Sequence, residues 1–340
     1  MKIKFPGGRS LRVFALLLVS TVMLPAYLAA CDFCGAFMGI TPFDNQSGFY
    51  FTHRYRVFNG YPAMNQSTNF FPQGAYRLSA PPSPLHGTNA GSSSMSPADF
   101  ESYKVYELRG KWFIHPRVEL NVILPFVDNK SKSMDEKSRT SGLGDVSFFA
   151  GWHLMQRLQD VKIRQRLILG LGVKLPTGKS DFQYEDGDRI SVMLQPGTGS
   201  TDGFAYLTYT AAAGNWRWGA TSLGKINGRN KYDEQVCAST VNSLFVSFRL
   251  KSCNWTVLPQ VQVYEEYTRG LREGVALEEG TGMNMVLAGP GAEVYFKNFG
   301  FNIGAQLPVY QQTDEMNMKT AGRLMVGISY SFSQSKYLFK

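Results

Sequence analysis

The chain is poor in the residues that carry out chemistry. Its 340 residues include four histidines and four cysteines. The histidines, His53, His86, His115 and His153, are scattered along the sequence, and no Gly-x-Ser-x-Gly elbow accompanies them. A general base must come within about 3 Å of its nucleophile. His86 falls in a loop and His115 in a tight turn, on opposite sides of the strand topology, so no Ser–His or Asp–His set converges at one rim. No catalytic residue is expected, and the chain reads as a non-enzyme. Two motif-like segments fail on inspection. Gly178-Lys179-Ser180 lacks the glycine that a phosphate loop needs five positions earlier, where Val173 stands. Asp181, Glu185, Asp186 and Asp188 do not have the spacing of a helix-loop-helix calcium site. No metal and no cofactor is expected.

Long apolar runs are also missing. Residues 1–30 have the form of an export signal: Lys2, Lys4, Arg9 and Arg12 precede a nearly all-apolar stretch from Val13 to Ala30. Beyond it, no apolar run approaches the roughly 20 residues of a spanning helix. A membrane protein of this sequence would have to cross with strands. The formal charge of +9 falls to about +5 without the four leader cations. No basic stripe interleaved with aromatics is present, so a nucleic-acid partner is not expected.

The cysteines are Cys31, Cys34, Cys237 and Cys253. Leu28-Ala29-Ala30-Cys31 has the form of a bacterial lipobox, which makes Cys31 a candidate for lipidation; ordinary cleavage after Ala30 is the alternative. Cys31 and Cys34 could instead close a small disulfide. Cys237 and Cys253 flank a strand and fall about 35–50 Å apart at about 3.3 Å per residue, too far to bond.

What the chain does have is alternation. Val118, Leu120, Val122, Leu124 and Phe126 share one face of a strand; so do Leu167, Leu169, Leu171, Val173 and Leu175, and Leu244, Val246, Phe248 and Leu250. Successive strand residues point to opposite faces, so each stretch has one greasy wall and one mixed or polar wall. About twelve such stretches lie between Gly48 and Phe332, at first approximation 9–12 residues each, separated by alternately long and short connections. That pattern predicts an all-β fold: an antiparallel up-and-down transmembrane β-barrel of about twelve strands, with both termini periplasmic. Long connections are expected at Asn59–Asp99, Asp128–Gly142, Pro176–Asp202, Arg229–Ser239, Glu265–Met283 and Gln311–Thr320, with a further, longer-than-usual one at Met155–Arg166. Trp112, Trp152, Trp216, Trp218, Trp255, Tyr310 and Tyr330 gather at strand ends, as interfacial girdles require.

The wall opposite the apolar one carries Arg54, Arg56, Glu107, Arg109, Lys111, Glu119, Asn121, Asp145, Lys174, Arg217, Lys225, Arg249, Gln260, Gln262, Glu293, Gln306 and Arg323. Ionised groups cannot cheaply face hydrocarbon, so in a barrel they are expected to line the lumen. Bases outnumber acids in this set, so an aqueous path should favour anions. The same charges could instead pair across the strands and fill the interior.

Two segments go beyond periodicity. Gly327-Ile328-Ser329-Tyr330-Ser331-Phe332 resembles the terminal signal of outer-membrane barrels, although Met325 replaces a usual polar residue and Ser333 to Lys340 extend past it. Ser141-Gly142-Leu143-Gly144-Asp145, Val173-Lys174-Leu175-Pro176-Thr177-Gly178 and Gly197-Thr198-Gly199-Ser200-Thr201-Asp202 resemble the outer-membrane barrel family named for the MetA pathway of phenol degradation, over roughly residues 140–320. The resemblance implies a transporter without naming its substrate. The organisation expected is a signal peptide (1–30), a periplasmic segment (31–47) whose residues 35–47 could plug the lumen, a barrel (48–332) and a short extension (333–340). The partners expected are outer-membrane lipid, the barrel-assembly machinery and a small solute. Passive solute passage is the leading functional reading. A structural or surface-display barrel with a closed lumen is the second, and an exported soluble sandwich with its apolar walls packed inward is the third.

Overall fold

The computed structural model describes residues 45–59, 76–77, 99–133, 136–158, 161–277, 282–312 and 318–332. The expected leader, Cys31, Cys34 and the extension 333–340 lie outside them. The described residues form an all-β structure whose main sheet closes on itself. Its barrel strands are β1 (Ser47–Asn59), β2 (Phe100–His115), β3 (Val118–Ser133), β4 (Ser147–Arg157), β5 (Ile163–Lys174) and β6 (Asp202–Ala213). They continue with β7 (Trp216–Asn227), β8 (Ser239–Phe248), β9 (Trp255–Thr268), β10 (Met283–Phe296), β11 (Phe299–Gln312) and β12 (Met318–Phe332). Each pairs antiparallel with its sequence neighbours. The circle closes where β1 meets β12, from Ser47 opposite Phe332 to Phe58 opposite Thr320. Closure satisfies the backbone donors and acceptors that a sheet edge would leave bare, which is the condition for a sheet to sit in hydrocarbon.

The alternation in the sequence becomes two walls. Outward residues of the barrel are large and apolar: Leu171 is 65% exposed, Val261 61% and Trp152 57%, with Phe49, Phe51, Leu120, Leu124, Leu244, Val246, Ile303 and Ile328 around the same surface. On a water-soluble protein so continuous a greasy surface would aggregate; around a closed, even-numbered barrel it is the hydrocarbon-facing band of an outer-membrane protein. Near the short-turn rim aromatic rings pack against one another on this surface, with Phe49 against Trp112, Trp216 against Phe248, Trp255 against Phe296 and Phe299 against Tyr330 at centroid separations of 5.9, 5.0, 4.5 and 5.1 Å.

Short turns gather at one end. Gly214-Asn215 and Lys297-Asn298 reverse the chain in two residues, with Gly214 at φ 57° and Lys297 at φ 51°, the left-handed backbone that matches strand twist in tight hairpins. Long connections gather at the other end, and several are more ordered than the sequence indicates. The charged segment expected as a loop from Asp128 to Gly142 is mostly strand: β3 runs on to Ser133 and pairs with Glu136–Leu143, forming a hairpin arm. Cross-strand polar pairs hold that arm, among them Arg139 Nε to Asp128 at 2.8 Å. The expected connection at Met155–Arg166 shrinks to 158–162, because a bulge between His153 and Met155 lets β4 run through Arg157. The loop expected from Glu265 shortens because β9 continues to Thr268. Beyond it, Leu271–Glu273 pairs with Ala276–Leu277 and with Glu234–Val236 in a small separate sheet. Tyr76–Arg77, inside the long first loop, pairs with the start of β12. The strands therefore run to 16 residues in β2 and β3, longer than the alternation alone marks.

Candidate functional site

Among the described residues, ionised side chains from many strands meet in the barrel interior. Every position of the polar wall named from the sequence is buried, with the exception of Arg249. Arg249 sits where the chain breaks step between β8 and Leu250–Ser252. Its backbone N–H donates to the Asn215 carbonyl at 2.8 Å and its guanidinium reaches the Gly214 carbonyl at 3.4 Å, on an exposed turn. The break in strand pairing takes it out of the interior face, so it belongs to the short-turn rim.

At the loop end of the interior, three stretches far apart in sequence converge. Asp145 lies just before β4, Lys174 ends β5, and Thr198 and Ser200 lead into Asp202 at the start of β6. The Asp145 carboxylate accepts hydrogen bonds from the Gly178 N–H at 3.0 Å, the Thr198 N–H at 2.8 Å, the Thr198 hydroxyl at 2.9 Å and the Lys174 ammonium at 2.7 Å. Lys174 also reaches Asp202 at 2.7 Å, and Lys225 on β7 reaches the same Asp202 carboxylate at 2.8 Å. Two carboxylates and two ammoniums thus neutralise one another below the surface, which buried charge requires. The glycines of the same stretches make this approach geometrically feasible. A Cβ on Gly178 would lie 2.7 Å from the Gly144 carbonyl carbon and 2.8 Å from the Gly197 Cα. The motif glycines therefore bring three backbones into direct contact, and the motif polar groups bond them together.

This clasp fixes the 175–201 segment against the barrel mouth. Ile190 and Leu194 from that segment are buried with Phe58 of β1, Tyr103 of β2 and Met318 of β12. The Leu194 carbonyl accepts from Asn129 Nδ2 at 3.0 Å and from the Thr140 hydroxyl of the hairpin arm. Gln195 donates to the Phe182 and Ile190 carbonyls at 2.9 and 2.8 Å. Arg189 pairs with Glu234 and stacks 3.8 Å from the Tyr232 ring centroid, tying the segment to the neighbouring loop. Cys237, beside that loop, is buried; loss of solvent pushes its thiol pKa up. Cys253, at the short-turn end, is exposed, and both cysteines are free thiols.

Lower down, ion pairs and apolar side chains share the interior. Arg54 of β1 pairs with Glu107 of β2 at 2.6 Å, and Arg56 of β1 reaches across the interior to Glu266 of β9 at 3.2 Å. Beside them is a cluster that includes Phe149, Phe204, Tyr206, Leu223, Tyr264, Met285 and Leu287, all buried; Arg56 touches it at Met285. Guanidiniums lie over several of its rings, with Arg109 4.9 Å from Phe149 and Arg323 4.5 Å from Tyr264. Gln306 donates to Gln262 at 3.3 Å. Toward the short turns the side chains draw apart and leave a cavity of about 80 Å³. At roughly 10–15 Å³ per water, it holds on the order of five to eight waters. Its lining includes Arg109, Lys111, Glu119, Arg166, Arg217, Gln260, Gln262 and Glu293. Arg109 donates to Asn121 Oδ1 at 3.1 and 2.6 Å, and Glu119 lies 3.2 Å from the buried His153 ring.

Interior charges or potential charges that the alternation does not mark include Arg166, Glu266, Asp202, His153 and Glu101. Arg166 and Glu266 fall in stretches read as connections, Asp202 in a stretch read as the end of a loop, and His153 on a strand whose other face drew attention. The inward aromatics Phe149, Phe204 and Tyr206 escaped for the opposite reason: an apolar residue on either wall of a barrel looks the same in a hydropathy pattern. The signal that would have found Asp202 and Arg166 is strand parity, since both lie on the inward step of β6 and β5 when the strands are drawn at their full length.

No protein-family model matches the chain, and comparison with curated proteins finds no match. Solved structures are similar. An outer membrane channel from Pseudomonas putida F1 superposes with a TM-score of 0.61 at 14% identity, over 86% of this chain and 100% of that chain. The β domain of the Bordetella autotransporter BrkA gives 0.44 at 13% identity, over 85% and 100% of the two chains. The transport unit of the autotransporter AIDA-I from Escherichia coli gives 0.44 at 10% identity, over 87% and 94%. At such identities the likeness to the Pseudomonas structure is one of fold.

Proposed function

We propose that this barrel lets small solutes pass across the outer membrane through a polar, mildly basic lumen, without catalysing a reaction. The observation that carries the reading is the cavity among Arg109, Lys111, Arg166 and Arg217, open space lined by charge inside a wall that is greasy outside. A barrel built only as a scaffold has no need to keep ionised groups beside unfilled volume, because desolvating them costs several kcal/mol each unless they are paired. The similar Pseudomonas putida F1 structure is of an outer membrane channel, which accords with this reading. So does the resemblance of the clasp segments to the MetA-pathway barrels, a membership we propose with it. Excess base in the lumen favours anions over cations.

The second reading is a barrel with a closed lumen whose long loops bind a partner. It draws on the 175–201 segment, which packs Ile190 and Leu194 into the mouth. Planar-bilayer recording separates the two. Passive passage gives discrete conductance steps, and a salt gradient gives a reversal potential of the sign set by anions. A protein that inserts, as judged by heat-modifiable gel mobility, yet stays silent at every voltage overturns passage and leaves the closed barrel.

A further inference from the structure

The outer wall does not end alike all the way round its loop end. On β2, β3 and the Glu136–Leu143 arm the strands pair in register, so their outward residues can be followed rung by rung. The last greasy rung is Tyr106, Phe126 and Leu143, with Phe126 42% and Leu143 57% exposed. Outward residues recur at every second position. The next rungs are therefore Lys104–Asp128–Ser141, Ser102–Lys130–Arg139 and Phe100–Lys132–Lys137. Five cations sit on this one outer face, each partly or fully exposed. Asp128 is the single acid on these rungs, and Arg139 already engages it at 2.8 Å. The four lysines make no ion pair among the described residues; Lys104 lies 5.6 Å from the Tyr55 ring centroid.

The opposite side of the barrel ends differently. On β8 and β9 the greasy rung Leu244–Val263 gives way to Asn242–Glu265 and then to Thr240–Tyr267. Asn242 donates to Glu265 at 3.0 Å, and those rungs carry an acid and no base. The cations on β2, β3 and the arm are thus a local collar rather than a general property of the rim.

Height decides what such a collar meets. Two residues advance about 6.8 Å along a strand, or about 5 Å along the membrane normal at a tilt near 40°. The headgroup layer beyond the hydrocarbon is roughly 5–8 Å deep. Lys104 at about 5 Å, with Lys130 and Arg139 at about 10 Å, brackets that layer, and flexible stems let the lysine heads settle into it. Their neighbours are headgroups, not bulk water. Clustered bases beside a membrane attract anionic headgroups, and ammonium and guanidinium groups together suit phosphate oxygens. Long connections of bacterial barrels face the cell exterior. The outer leaflet on that side is built of acylated disaccharides that carry phosphate monoesters.

We propose that the outer face of β2, β3 and the arm docks the phosphorylated disaccharide headgroup of an outer-leaflet glycolipid. Its acyl chains lie along Leu108, Leu124 and Phe126, and its phosphates meet Lys130, Arg139 and the lysines beside them. This surface is outside the wall, so it is independent of whether solutes travel the lumen.

The test is native mass spectrometry of the full-length protein released from detergent micelles, titrated with diphosphoryl lipid A or with the same lipid stripped of both phosphates. Saturable binding is expected, about tenfold tighter for the phosphorylated lipid. Lys130→Gln should weaken it about fivefold, and Lys130→Gln, Lys132→Gln and Lys137→Gln together by more than about tenfold. Lys130→Arg should bind like the parent protein, and so should Lys251→Gln at the short-turn rim. Equal affinity for the stripped lipid, or a triple variant that binds like the parent, overturns the site. Displacement of the lipid by an equal concentration of inorganic phosphate also overturns it, because a free ion is then the ligand. If the triple variant loses heat-modifiable folding, Lys130→Gln decides: undiminished affinity there overturns the site. Silence in planar bilayers bears only on the passage reading, and loss of lipid binding only on this site.

Discussion

The two ends of the interior use the same residue types to opposite effect. At the loop end, Asp145, Lys174, Asp202 and Lys225 form a closed set, each ammonium meeting a carboxylate at 2.7–2.8 Å. At the turn end, Lys111 and its neighbouring guanidiniums surround space. The difference comes from what fills the barrel. The 175–201 segment brings Thr198, Ser200 and the glycine contacts down onto the upper charges, whereas the turns at the other end are too short to fold inward. Where the clasp segment packs onto the charges they become a fastening; at the turn end, where no long loop reaches in, they line a cavity.

Several experiments test that contrast, and the first should perturb the protein most. Asp145→Ala removes four hydrogen bonds and leaves Lys174 half-compensated, so it should cost about 3–5 kcal/mol, the usual result of breaking a buried pair from one side. The measurement is the heat-unfolding midpoint on a modifiable gel, with protease cleavage inside 176–201 reporting local release. An unchanged midpoint with 176–201 still protected would mean the set does not fasten the mouth. Next, Gly178→Ala forces a Cβ to within 2.7 Å of the Gly144 backbone, and overpacking of this kind costs about 1–3 kcal/mol. Its turn-end counterpart, Gly214→Ala, meets no atom within 4 Å but must hold φ 57°, at roughly 1–2 kcal/mol. Steric relief elsewhere in the loop should rescue the first and not the second.

Arg109→Gln should then lower the anion-to-cation permeability ratio by about threefold, a bias of well under 1.4 kcal/mol. Lys225→Gln, whose charge is already matched by Asp202, should change the ratio less; equal shifts would erase the distinction between the ends. The smallest effect is chemical. Only the thiolate attacks an alkylating reagent, and burial raises the Cys237 pKa, so at about pH 8 Cys237 should stay largely unmodified while exposed Cys253 reacts. Raising the pH should speed Cys237, which mass spectrometry of the folded protein can follow. Equal labelling at neutral pH would mean the loop-end packing around Cys237 is open.

The frame was readable in the sequence because hydrocarbon outside and polar groups inside force a strict two-residue alternation. Leu120 and Leu124, or Leu244 and Val246, face out as their spacing requires. What escaped is what alternation does not encode. Polar hairpins carry no greasy face, so Glu136–Leu143 looked like loop. Bulges such as that between His153 and Met155 hide where a strand continues, and the break at Arg249 misplaces one charge. Interior apolar residues such as Phe204 look like lipid-facing ones, so alternation alone does not assign the faces of β6. The clasp was visible as three separate glycine-rich stretches; that they touch one another is a property of the folded wall alone.

The seam between β1 and β12 has a consequence for biogenesis. The first strand to emerge finds its hydrogen-bonding mate in the last, from Ser47 beside Phe332 onward, and until that mate arrives both borders of the ribbon stay unsatisfied. A chain cut short anywhere before its final strand would keep a sticky border and should be degraded rather than inserted.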